Sequence, residues 1–381
     1  MSNRAAALAG CFLAGALVLS GCSRTPTRSL TGVTAATAAR LQPTSGGVLA
    51  VVPANQHWFL LALGSTGSTS LSLPGARNVT PSGVTSRGGI VVAADVHRWV
   101  VGFDTYSQVT VSPYATSTDQ GRSWATGQLP GGLVASSSAM AVSGPVLRAL
   151  VTGENGMLAT QQAGGAWQES VSGQSLDPHA NLTLTGIAAT SDGWWLTGTA
   201  PGSTAVAYRQ SAPGLGWTPM HPPAPTGATM TATCAPQQEG RWLVLPVVGA
   251  VHGHQQVLVD VSDDHGRTWT SLPALPGGPG ALPWTVGTSG VWVVAPDSGG
   301  ATLWHARLPD GAWARTVRLP ASAQAVLMPA GSSTGSPAGL ALGTTPNGAV
   351  AAWAIGPAQV SSSPIPAWVT RLGAAAAGSG S

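Results

Sequence analysis

Two histidines set one residue apart, His252-Gly253-His254, have the spacing best suited to sharing a metal ion, because in an extended loop both imidazoles can reach one cation. No third ligand is identifiable beside them, so they read as loop polarity and no metal or cofactor is expected. The adjacent carboxylates Asp263-Asp264 fall in a turn, where a carboxylate serves the backbone rather than a substrate. The GxSxG, HExxH, P-loop and dinucleotide-binding signatures are missing in context. No residue is assigned a catalytic role on this basis.

The elements that must position these side chains show in a repeated turn. Ser117-Thr-Asp119-Gln-Gly121-Arg-Ser-Trp124 and Ser262-Asp-Asp264-His-Gly266-Arg-Thr-Trp269 both fit SxDxGxxW without a mismatch. Ser and Asp can bond backbone groups two or three residues on, Gly permits a positive φ, and Trp begins the next strand pointing into a core. Degenerate copies keep Gly and Trp at Gly164-Gly165-Ala166-Trp167, Gly214-Leu215-Gly216-Trp217 and Asp310-Gly311-Ala312-Trp313. These tryptophans recur about every 40 to 50 residues, a period that fits units of four short strands.

The SxDxGxxW turn resembles the Asp-box of the sialidase-like, BNR-repeat β-propellers, where it joins the third and fourth strands of a blade. The resemblance implies an all-β propeller. Upstream runs at Arg98-Trp99-Val100-Val101, Trp194-Trp195-Leu196, Arg241-Trp242-Leu243-Val244 and Val291-Trp292-Val293-Val294 then read as second strands. Five units fall between about residues 85 and 320. A further unit precedes them, with strands at 47–52 and 57–60, and another follows within 323–368. The expected architecture is seven four-stranded blades, with six or eight as alternatives, and closure by a strand borrowed from the opposite terminus.

Sialidases themselves need three arginines around the substrate carboxylate, a Tyr nucleophile with its Glu, and an Asp acid/base. By that resemblance Tyr106, Tyr114 and Tyr208 could supply the nucleophile and Glu154, Glu169 and Glu239 could activate it, but the chain departs from the rest of the pattern. The first-blade region offers only Arg77 and Arg87, followed by Asn78 and Gly88, in place of an Arg-Ile-Pro type motif. In a propeller the loops joining second to third strands lie opposite the Asp-box turns, and that face usually binds. Asp104, Tyr106, Glu154, His252, His254 and Asp297 occupy such loops and form the candidate binding face. Ser117, Asp119, Gly121, Trp124, Ser262, Asp264, Gly266 and Trp269 are assigned the structural role.

The N-terminus states a compartment. Arg4 precedes the apolar run Ala5 to Leu19, which is short for a membrane span but suited to export, and Leu19-Ser20-Gly21-Cys22 resembles the lipobox of bacterial lipoproteins. The division expected is a signal peptide over 1–21, a lipidated Cys22 with a flexible Thr/Ser/Ala tether over 22–46, a propeller over 47–372 and a disordered tail over 373–381. With Cys11 removed and Cys22 acylated, only Cys234 remains and no intramolecular disulfide can form.

Composition agrees with a turn-rich, all-β chain: 51 Gly, 30 Pro and 15 Trp stand against 8% charged residues, and there is no lysine. The net charge of +3 comes from dispersed arginines, which is no nucleic-acid footprint. The expected protein is a monomer, held at the extracytoplasmic side of the cell membrane by its lipid, that binds or scaffolds a protein or glycan without catalysis. A sialidase-like glycoside hydrolase is the alternative. A third reading, from a resemblance to lipoprotein propellers that assist photosystem assembly, is an assembly factor for a membrane protein complex.

Overall fold

The computed structural model describes residues 40–44, 47–54, 57–64, 67–71, 90–94, 98–103, 113–119, 123, 125–128, 136–152, 157–162, 166–201, 204–223, 228–233, 235–252, 254–275, 284–287, 290–297, 300–320, 323–327, 339–344, 350–355 and 360–363. Their strands form seven antiparallel sheets over 40–71, 90–128, 136–172, 183–220, 228–271, 284–319 and 323–363, each built from consecutive strands paired in chain order. In the fifth sheet the first strand is split into Ala228–Thr233 and Gln237–Glu239, because Pro236 has no N–H to give the ladder. First strands of successive sheets touch one another, and that of the seventh touches that of the first. The contacts close a ring with the first strands innermost and the fourth outermost, which is a β-propeller arrangement.

The first sheet opens with Arg40–Thr44, inside the segment that composition assigns to the tether, and pairs it with Gly47–Ala54. Pro43 and its polar neighbours carry no apolar alternation, so composition hides this strand. With it present each terminal sheet is complete from its own residues, and the expected borrowing of a strand does not occur. The signal segment, Cys22, Cys234 and the 373–381 tail lie outside the described residues. Among those described, no helix is long and apolar enough to cross a membrane.

The core lies between sheets, not within one. Leu147, Ala149 and Val151 on the second strand of sheet three pack against Val100 and Tyr114 of sheet two. Val146 and Leu150 on the opposite face pack against Leu184, Ile187 and Leu196 of sheet four. The same alternation turns Val291, Val293 and Ala295 toward sheet five and Trp292 and Val294 toward sheet seven. Because both faces are buried, these strands read as continuous apolar runs instead of polar alternation.

Each described tryptophan that opens a fourth strand reaches back to the preceding sheet. Trp167 meets Tyr114 edge-on at 5.5 Å, and Trp269 meets Trp195 edge-on at 6.2 Å. Trp313 Nε1 donates to the carbonyl of Pro273 at 2.7 Å. Trp195 is fully buried, so Trp195→Ala should cost about 3 to 5 kcal/mol in urea denaturation. Arg267→Ala, on an exposed turn, should change stability by no more than about 0.5 kcal/mol.

Candidate functional site

Strand direction sorts the connections onto two ends of the ring. First-to-second and third-to-fourth turns share one end, the turn end. Second-to-third turns and the sheet-to-sheet crossovers share the other, the crossover end.

At the turn end the two SxDxG segments join third to fourth strands, and their side chains are used up locally. Asp264 Oδ1 accepts from the amides of Arg267 at 3.0 Å and Thr268 at 2.8 Å, while Oδ2 accepts from the Thr268 hydroxyl at 2.6 Å. Ser262 Oγ donates to Asp264 at 2.8 Å and accepts from the Gly266 amide at 2.8 Å. The Thr268 hydroxyl and amide, then Ser262 and the Arg267 amide, hold the Asp264 carboxyl down at about 2. Asp119 repeats the pattern, accepting from the Ser123 amide at 2.9 Å and from Ser117 Oγ at 2.8 Å. Gly121 and Trp124 lie outside the described residues. Gly266 sits at φ +79, and a Cβ there would lie 2.7 Å from Trp195 and 3.1 Å from Trp269, so both backbone and packing require glycine.

A second polar group locks sheet four to sheet five at this end, and the sequence gives no pattern for it. Arg209 donates from Nε and Nη2 to the carbonyl of Asp192 and from Nη1 to that of His265. The Asp192 carboxylate meets His265 Nδ1 at 2.5 Å and accepts from Gln238 at 3.2 Å.

At the crossover end His252 is exposed with φ 50 and opens a two-residue turn between Trp242–Val251 and His254–Ser262, closed by the Val251 and His254 pair. Histidine is among the residues that tolerate this left-handed conformation, which gives His252 a turn role without any metal. His254 starts the third strand of sheet five and Asp297 ends the second strand of sheet six, both at this end; their side chains are outside the described set. Asp104, Tyr106 and Glu154 fall in the second-to-third connections of sheets two and three and lie outside the described residues. Among the described residues no group of three His, Cys, Asp or Glu could hold a metal ion.

The crossover from sheet three to sheet four is the best-defined part of this end. Ser172 caps the short helix α1 (Gly173–Leu176) in a reciprocal capping box with Ser175, and Asp177 then accepts from the His179 amide at 2.9 Å. A Cβ on Gly173 would lie 2.3 Å from the Leu182 carbonyl, so the helix lies directly on the start of the next sheet.

Among the described residues, the groups that glycosidase chemistry would need do not converge. Tyr114 and Tyr208 are each 7% exposed and packed between sheets. The Tyr114 hydroxyl accepts from Gln161 at 3.0 Å, and burial, then the Asp177 charge, pushes the Tyr208 hydroxyl above its usual range. Glu169 is exposed on the outermost strand of sheet three, and burial pushes up the Glu239 carboxyl at the turn end. The innermost strands carry two charged residues, Arg40 and Glu239, at opposite ends of the ring. No three-arginine clamp can be assembled from them.

One further titratable group is unusual. Asp260 is fully buried in the third strand of sheet five, accepts from the Ser271 hydroxyl at 2.6 Å, and leaves Oδ2 without a hydrogen-bond partner. Burial lifts its carboxyl to about 6 against the smaller opposing effect of Ser271. It lies inside the sheet stack, so the shift is a property of packing and not of a reactive site.

Neither a protein-family model nor a curated protein sequence matches the chain. Among solved structures it is similar to the Trypanosoma rangeli sialidase in complex with the inhibitor DANA, at 13% identity and a TM-score of 0.40, over 68% of this chain. The match spans about half of that protein, 53% of its length.

Asp264→Ala should destabilise the fold by about 1 to 3 kcal/mol by stranding turn amides, whereas Asp263→Ala on the same turn should cost no more than about 0.5 kcal/mol. Both are read from denaturant midpoints. The effects of these two carboxyls, one on an exposed turn and one buried, have opposite signs in pH. The advantage of Asp264 over Asp264→Asn is present above pH 4 and lost as pH falls toward about 2. Asp260 ionises at a higher pH folded than unfolded, so it lowers stability as pH rises from about 4 to about 6. Asp260→Asn should therefore gain on the order of 3 kcal/mol over the wild type between pH 4 and pH 7.5, measured by urea titration at each pH.

Proposed function

We propose that this chain is a lipid-anchored, extracytoplasmic, seven-bladed β-propeller of the Asp-box kind that binds or scaffolds a partner and performs no catalysis. What carries the reading is the small, almost uncharged set of residues on the strands nearest the axis, where a sugar would have to be gripped and attacked. Among the described residues, Tyr114 and Tyr208 are packed between sheets, which adds to it, since a nucleophile must face its substrate. The lipobox at Leu19-Ser20-Gly21-Cys22 supports the anchor, and the polar side chains of the crossover end supply a surface for recognition.

Two measurements test this. Metabolic labelling with a fatty acid should mark the wild type and leave Cys22→Ser unmarked; equal labelling of both removes the anchor. The full chain should release no fluorophore from a fluorogenic sialoside above the buffer rate. Turnover that disappears in Tyr106→Phe would replace the binding role with the glycosidase one.

A further inference from the structure

We propose that the crossover end is the membrane-proximal face, and that it meets an extracytoplasmic segment of an integral membrane protein there. The proposal rests on the anchor reading at Cys22.

Its structural basis is the polarity of the first strand. Thr44 pairs with Gly47 across a first-to-second turn, so Thr44 is at the turn end and Arg40 at the crossover end. Arg40–Thr44 is also innermost in its sheet, and its contacts with the first strands of sheets two and seven place it at the ring's centre. The chain from Cys22 therefore joins the domain on the axis of the crossover end. The last strand, Val360–Ser363, finishes at the same end.

Reach then decides orientation. The residues from Cys22 to Arg40 span at most about 60 Å when fully extended. A domain of this length has a radius of about 25 Å, and strands of mostly five to eight residues, ten in the longest, make the ring about 25 Å thick. Presenting the turn end to the membrane would require the connection to run out to the rim and across the full thickness, about 50 Å, which leaves almost no slack. Presenting the crossover end needs almost none of that length. The entropy of the connecting chain favours the second orientation.

Charge separates a protein partner from the lipid surface. Holding an anionic leaflet takes a cluster of Lys and Arg. This chain has no lysine, and among the described residues Arg98, Arg209, Arg241, Arg267 and Arg307 stand at the turn end. Arg40 and Arg318 stand toward the crossover end on separate sheets. The described side chains there include exposed His179, His221 and His252, with Asp177 next to His179, a mixed donor and acceptor set suited to a polypeptide loop.

The test uses acylated full-length protein carrying Cys234→Ser, labelled with a donor fluorophore at His179→Cys or at Arg267→Cys. The protein is placed in phosphatidylethanolamine/phosphatidylglycerol vesicles with a trace of rhodamine-lipid. Energy transfer from position 179 should exceed that from position 267 at least twofold. Equal or reversed transfer in protein that floats with the vesicles overturns the orientation alone. Failure to float, or equal flotation of Cys22→Ser, overturns the anchor and the orientation with it. For the partner, a photocrosslinking amino acid replaces His179 or, as the turn-end control, the 55% exposed Leu215 in cells. Adducts to a carbonate-resistant membrane protein should form several-fold more from position 179. Adducts to lipid only, or binding of Cys22→Ser protein to the anionic vesicles, overturn the protein partner.

Discussion

The packing of one sheet against the next is the constraint on which this structure depends, and the tryptophan that opens a fourth strand is its clearest expression. Sheets set around an axis lie close together at the centre and diverge toward the rim, so the gap between neighbours is a wedge. Small residues suit the narrow side: Ser136–Ser143 and Thr183–Thr190 are built largely from Ser, Ala, Thr and Gly. Bulk is needed on the wide side, and Trp167, Trp217, Trp269 and Trp313 each pack toward the preceding sheet there. A composition rich in glycine, alanine and tryptophan and poor in charge follows from that geometry.

In sheets three and four, where the SxDxG turn is absent, the third strand ends instead in a polar side chain bonded to the preceding sheet. The third strands of sheets three and four end in Gln161 and Gln210, where sheets two and five end in Ser117 and Ser262. Gln161 accepts from Arg98 of the preceding sheet at 3.0 Å, and Gln210 accepts from Arg148 at 2.6 Å. Arg148 is 5% exposed, with its guanidinium 4.3 Å from the Trp194 ring and 5.5 Å from that of Trp217. Burial lowers it to about 10, which leaves it charged at neutral pH, and the two indole faces offset part of the cost of holding that charge out of water.

These buried polar groups are what sequence reading misses. The repeated turn, its place between third and fourth strands and the aromatic second strands are legible because each has a local physical cause: a positive φ, a carboxylate over its own amides, an apolar run. Arg148 and Asp260 have no such cause. On a strand with one wet face a charge marks the outside, but here both faces are covered, so the same letters give no sign of burial. The Arg209, Asp192, His265 and Gln238 lattice is assembled from two sheets and has no spacing to find. Arg40–Thr44 escapes for the opposite reason, since an innermost strand can be short and polar yet still complete its ladder.

The division of labour between the two ends follows from the same wedge. At the turn end the gap between sheets is bridged by tryptophans and by side chains already bonded to backbone, as Asp264 and Arg209 are, so substitution there disturbs the ring before it alters any surface. At the crossover end the chain passes from sheet to sheet, and side chains such as His179 and His252 face water on connections whose packing is supplied by other residues, Leu176 and Leu182 beside His179 among them. Change in those side chains leaves the wedge intact. A propeller that must keep its ring while acquiring a partner therefore has one end free to vary, and in this chain that is the end where the first strand begins.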